Sequence, residues 1–104
     1  MIYQSNHIIM KPIVVVATIT AQPGSENIVR DALVTAVAAV RGEPGCEQYD
    51  LNADTERPGS FVMVERWSSD ADLEAHANAP AFVALAKTIT GIAQLSIQRL
   101  TPVA

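Results

Sequence analysis

The chain has a single cysteine, Cys46, among 104 residues, so no disulfide can close within it. Two histidines and one thiol, in no metal-ligand spacing, give no metal site to expect. Basic residues are also few: seven Lys and Arg, scattered, against eleven Asp and Glu, for a net charge of −4. Nucleic acids and anionic membrane surfaces are held by clustered positive charge, so neither is expected as a partner. No apolar run reaches the roughly 18 residues that cross a bilayer. Met1–Met10 is polar and lacks a secretory pattern. Together these absences lead us to expect a soluble cytoplasmic protein. There is no GxGxxG, no Walker loop, no internal repeat and no low-complexity tract, which argues against nucleotide cofactors.

What the chain has is small aliphatic bulk. Apolar residues make up 49% and charged residues 17%, with aromatics at only 5%. The length fits one domain, for which we take residues 13–104, with 1–12 as a tail ending at Pro12. The tail has room for a short strand at Ile8–Met10. Ile13–Ile19 reads as the first strand, because four consecutive β-branched residues, Ile13 to Val16, mark a strand covered on both faces. Gln22-Pro23-Gly24 is a turn into a helix, with Ser25 as its N-cap and Glu26 favourable to the dipole. Ile28, Val29, Ala32, Leu33, Ala36, Val37 and Val40 form its apolar stripe, and Arg41-Gly42 ends it.

Cys46–Ala53 and Ser60–Ser68 read as a hairpin joined by a polar loop. Their alternation places Tyr49, Leu51 and Ala53 on one face of the second strand. It puts Phe61, Met63, Glu65 and Trp67 on one face of the third, with Val62, Val64 and Arg66 opposite. Ser69-Asp70-Ala71-Asp72 resembles a capping box opening a short helix through Leu73 and Ala77. Pro80 starts a further helical segment that runs to Ile89 and stops at Gly91. Leu95–Leu100 is the last strand. The order β-α-β-β-α-β is the ferredoxin-like α+β arrangement around a four-stranded antiparallel sheet. Helices cover one face of such a sheet. The other, with Val14, Val16, Val62 and Val64, is a poor surface for water, since each buried Val contributes about 1.5–3 kcal/mol. We expect a homodimer formed by packing sheet against sheet.

Glu43-Pro44-Gly45-Cys46 leading to Tyr49, then Gly59, Phe61 and Val62 leading to Glu65-Arg66-Trp67, then Leu73, Ala75-His76, Pro80 and Phe82, form an ordered set. Over residues 13–102 this set resembles the antibiotic biosynthesis monooxygenase family of dimeric α+β barrel proteins. The resemblance implies sheets paired face to face and a pocket between sheet and helices in each subunit. It implies a cofactor-free monooxygenase acting with dioxygen on a phenolic or quinol-type small aromatic molecule. Two other readings stand beside it. One is a non-catalytic ligand-binding or stress-related dimer. The other is an isomerase or haem-degrading relative. The haem-degrading relatives use a first-strand asparagine, which Ile13–Ile19 lacks.

Two candidate catalytic residues follow from the resemblance. His76 would transfer a proton, having a reference pKa near neutrality, unless it is a solvated or capping side chain. Trp67 would place the substrate ring and could orient a substrate oxygen with its indole N–H, unless it is a core aromatic. Tyr49, Phe61, Met63, Glu65 and Phe82 are the substrate-binding candidates. Each has a packing role as its plainer alternative, and Glu65 would need a partner if buried. Cys46 reads as a small buried residue rather than an activated thiol. Many relatives carry a second histidine at the position of Ala81, so a mechanism needing two histidines does not transfer to this chain.

Overall fold

A computed structural model describes residues 11–104, so the strand expected at Ile8–Met10 lies outside the described residues. The elements are β1 (Ile13–Ala21), α1 (Glu26–Arg41), β2 (Cys46–Ala53), β3 (Ser60–Trp67), α2 (Asp70–Ala77), α3 (Pro80–Ile89) and β4 (Ala93–Leu100). The strands form one antiparallel sheet in the order β2-β3-β1-β4. This is the expected ferredoxin-like arrangement, with the second helical region divided in two at Asn78-Ala79. No helix among the described residues is long and apolar enough to cross a membrane.

Three boundaries differ from the sequence reading, each because of backbone pairing. β1 runs on to Ala21, since Thr20 still pairs with Ser60 and Gln94, and Gln22 N–H reaches Ile92 O at 2.8 Å. β4 starts at Ala93, opposite Ala21. β3 stops at Trp67, because Ser68 N–H donates to Gly45 O at 2.9 Å, outside the ladder.

The register settles which residues share a face. Ile13 pairs with Trp67, Val15 with Glu65, Ala17 with Met63 and Ile19 with Phe61. Tyr49 pairs with Glu65 and Leu51 with Met63. This face meets the helices, and Val15, Ala17, Ile19, Phe61, Met63 and Trp67 are buried there. From α1, Val29, Leu33, Ala36 and Val40 pack down on it at helical spacing, while Ile28, expected in the stripe, is 56% exposed. The opposite face carries Val14, Val16, Val62 and Val64 at the centre, half-buried, with Val16 directly across from Val64. At the start of β2 the register slips between Cys46 and Gln48, a bulge that sets Cys46 opposite Trp67.

The two helix starts are capped differently. Ser25 makes no side-chain cap bond; instead Glu26 accepts from Gly24 N–H at 2.8 Å, holding the turn. Ser69 caps α2 as expected, accepting from Asp72 N–H at 3.2 Å. The Asp72 carboxylate in turn accepts from the Ser68 and Ser69 hydroxyls at 2.6 and 2.9 Å, which holds its pKa below the usual carboxylate value. That carboxylate lies against Gly45, whose φ of +77° is in the left-handed region. A Cβ at Gly45 would collide with it, so two constraints select glycine here. We expect Gly45→Ala to lower unfolding stability in urea by about 2–3 kcal/mol. Gly24→Ala, with φ +93° and open space around it, isolates the backbone cost alone and should lose about 1 kcal/mol.

Candidate active site

The register that buries the odd-numbered residues of β3 also buries a carboxyl. Glu65 is 5% exposed on the helix side of the sheet. Its partner is two residues along the same face: Trp67 Nε1–H donates to Glu65 Oε1 at 2.9 Å. Trp67 is fully buried, so this bond satisfies an indole N–H and a carboxyl that would both be costly to leave alone. Burial raises the Glu65 pKa above the ordinary 4.5, against the opposing effects of the Trp67 bond and His76; the nearby Glu43 adds to the rise.

His76, near the end of α2, is 5% exposed and enclosed by aromatic rings. Trp67 stacks on it at 4.6 Å between centroids and 28° between planes. Phe82 from α3 and Tyr49 from β2 meet it edge-on at 5.3 and 5.6 Å. Its Nδ1 lies 2.8 Å from Glu43 Oε1, in the turn between α1 and β2. Glu43 belongs to the ordered sequence set, but nothing in that set assigns it a partner. The signal available was its place directly before the Pro44-Gly45 turn. Tyr49 is 3% exposed, and burial, then Glu65, then Glu43, push its phenol pKa strongly upward, so it stays a neutral hydroxyl.

Beside this cluster a cavity of about 40 Å³ lies between sheet and helices. Ala17 and Met63 line it from the sheet, and Phe82, Leu85 and Ile89 from α3. Its polar-bearing lining residues are Tyr49 and Glu65. Leu95 and Ile97 of β4 border it and are 44% and 51% exposed, which marks the open side. Of the expected substrate-binding residues, Tyr49, Met63, Glu65 and Phe82 therefore meet at one cavity. Phe61 is packed into the core outside its lining. Trp67 and His76 lie behind the lining, reached through Tyr49, Phe82 and Glu65. Ala81 lines a separate shallow groove between α1 and α3. Burial raises the Cys46 thiol pKa, with Glu43 and Glu65 adding to the effect, as suits an unreactive cysteine. Among the described residues, no three His, Cys, Asp or Glu side chains form a metal-binding group.

A family model described as antibiotic biosynthesis monooxygenase matches residues 12–88. An Escherichia coli protein described as a probable quinol monooxygenase, YgiN, is 32% identical over 99 residues, covering 85% of this chain and 95% of that protein. Among solved structures, PA3566 from Pseudomonas aeruginosa superposes with a TM-score of 0.86 at 37% identity, over 90% of this chain and 96% of that one. Rv0793 from Mycobacterium tuberculosis shares the fold, with a TM-score of 0.85 at 24% identity over 89% of this chain and 96% of that one.

The Glu65 environment has a consequence for stability. With its folded-state pKa raised, the native protein holds a proton that the unfolded chain has already released as pH climbs past the ordinary carboxylate value. Stability from this group is full below that value and is lost as pH rises through the folded pKa. Glu65→Gln keeps an oxygen to accept from Trp67 and removes the charge. Urea unfolding at pH 4.5 and 7.5 should show the wild type losing more stability than Glu65→Gln between the two.

Proposed function

The chain belongs to the antibiotic biosynthesis monooxygenase family, and from this we propose that it oxidises a phenolic or quinol-type small molecule with dioxygen, without a cofactor. The observation that carries the reading is the cavity itself. Apolar walls would take an aromatic ring, while the Tyr49 hydroxyl and Glu65 carboxyl give it two polar edges. At about 40 Å³ the space is far smaller than a ring requires, so binding displaces side chains. Leu95 and Ile97 border the open side, and Phe82 lines the cavity while meeting the His76 ring edge-on; in this reading these side chains move, and displacement of Phe82 gives the substrate access to His76.

In this reading the substrate hydroxyl loses its proton to a protein base, with His76 as the candidate. The electron-rich anion passes one electron to dioxygen, and the resulting radical pair joins to form a carbon–oxygen bond. For an anthrone, the peroxide then loses water to leave a quinone. One oxygen atom stays in the new carbonyl, and the other departs with the two hydrogens of the oxidised carbon. The residues contribute by holding the ring, taking the proton and keeping bulk water out. Trp67, stacked on His76, fixes the orientation of the base. Oxygen uptake with hydroquinones and anthrones should be measurable with metal-free protein. His76→Ala should lower kcat by about 10²–10⁴-fold, the usual contribution of one acid–base group. No uptake with any of these substrates would remove the reading.

The burial of His76 behind the cavity lining favours a second reading, a dimer that binds a ligand without transforming it. Trp67 is the only tryptophan, so its fluorescence reports on the cluster. A saturable fluorescence change with a hydroxynaphthoquinone, without oxygen uptake from any phenol, would select this alternative.

We also propose that the Val14, Val16, Val62 and Val64 face packs on the same face of a second copy. Its apolar centre and polar flanks, Asp50 and Asn52 on β2 and Ser96 and Gln98 on β4, suit a self-complementary interface. Val64→Glu would bury an unpaired charge at its centre. Light scattering should find a wild-type dimer and a variant whose dimer is weakened by at least about 10²-fold. A wild-type monomer at micromolar concentration would overturn this.

A further inference from the structure

We infer that Glu43 is a positioning residue: its carboxylate holds the proton of His76 on Nδ1 and so leaves Nε2 as the basic nitrogen. The geometry is specific. Glu43 Oε1 and His76 Nδ1 are 2.8 Å apart, with the side chains 15% and 5% exposed, so water competes little for either. A carboxylate only accepts, so Nδ1 is the donor. The carbon faces and edges of the ring meet Trp67, Tyr49 and Phe82, which fix its plane. Nε2 has no hydrogen-bond partner in the protein among the described residues. The groups that face the ring are Glu43 from the turn, Glu65 from β3 and Tyr49 from β2.

The backbone holds Glu43 as firmly as the side chains hold the ring. Glu43 N–H donates to Val40 O at 2.9 Å, and Glu43 O accepts from Cys46 N–H at 3.2 Å. Two residues on, Gly45 is bonded to Ser68 and lies against Asp72, whose N–H is capped by Ser69 in the first turn of α2. The turn that carries the carboxylate and the helix that carries the imidazole are thus joined at a second point. A carboxylate fixed in this way sets the tautomer and the ring orientation of a histidine. In the reaction, the proton moves from the substrate hydroxyl to Nε2. The phenolate keeps the electron pair, and the new positive charge lies beside Glu43. This use rests on the monooxygenase reading; the tautomer does not.

Ring-nitrogen NMR of the ¹⁵N-labelled full chain tests it. The chain has two histidines, and His7→Gln leaves His76 as the only signal. In neutral His76 we expect hydrogen on Nδ1 and a bare Nε2. Glu43→Leu, checked for folding by circular dichroism, should shift the ring to the Nε2–H form, and Glu43→Asp should restore Nδ1–H in part. Hydrogen on Nε2 in the Glu43-containing protein, or an unchanged tautomer in Glu43→Leu, would overturn the assignment. With a turned-over phenol, Glu43→Leu should lower kcat by about 10²-fold and leave KM unchanged. If the tautomer is as stated but no phenol is oxidised, the positioning stands and the monooxygenase reading fails.

Discussion

Strand β3 lies between β2 and β1, so every side chain on it has neighbours on both sides. Its alternation leaves one position in two for the helix face, and Glu65 and Trp67 occupy consecutive positions there. Neither could be buried alone without loss. Together they close one hydrogen bond, and the indole is then held at the angle that lets the imidazole of His76 stack on it. Tyr49 and Phe82 complete the enclosure from β2 and α3. A one-residue slip of β3 would send Glu65 and Trp67 to the opposite face and dissolve the cluster.

The second support is outside the sheet. The turn after α1 and the start of α2 are joined where Gly45, Ser68 and Asp72 meet. That contact brings Glu43 within hydrogen-bond distance of a histidine 33 positions later. The buried site therefore depends on a surface turn for its most polar pairing. It is also built with two carboxyls of different character. Glu65 borders the cavity and is driven toward its neutral form, while Glu43 lies behind the imidazole with partial access to water.

Much of this was legible in the sequence where a rule of period two or 3.6 applied. The hairpin faces, the α1 stripe, the Ser69 cap and the four-stranded order all follow from local spacing. The Glu65–Trp67 bond was open to the same reasoning, since strand parity puts an acceptor and a donor side by side. Glu43–His76 was not, because it depends on how a turn and a helix end meet after folding. The continuous apolar run in β1 marked both faces as apolar but could not show which one the helices take. The register groups Val15, Glu65 and Trp67 on one face, and their burial under the helices decides it. Leu95 and Ile97 read only as strand residues. Their role as the border of a cavity appears once β4 is placed at the edge of the sheet and α3 is set beside it.

The bulge at the start of β2 has a consequence of its own. β2 and β4 are the two edges of the sheet, and an edge offers unpaired peptide groups to any passing strand. On β2 the slip between Cys46 and Gln48 breaks the regular spacing of those groups, and charged Glu47 sits at the break. β4 pairs with β1 without interruption from Ala93 to Leu100. Growth of a sheet from molecule to molecule requires two receptive edges. The bulge and Glu47 thus make the start of β2 a poorer template for an incoming strand than the regular edge of β4.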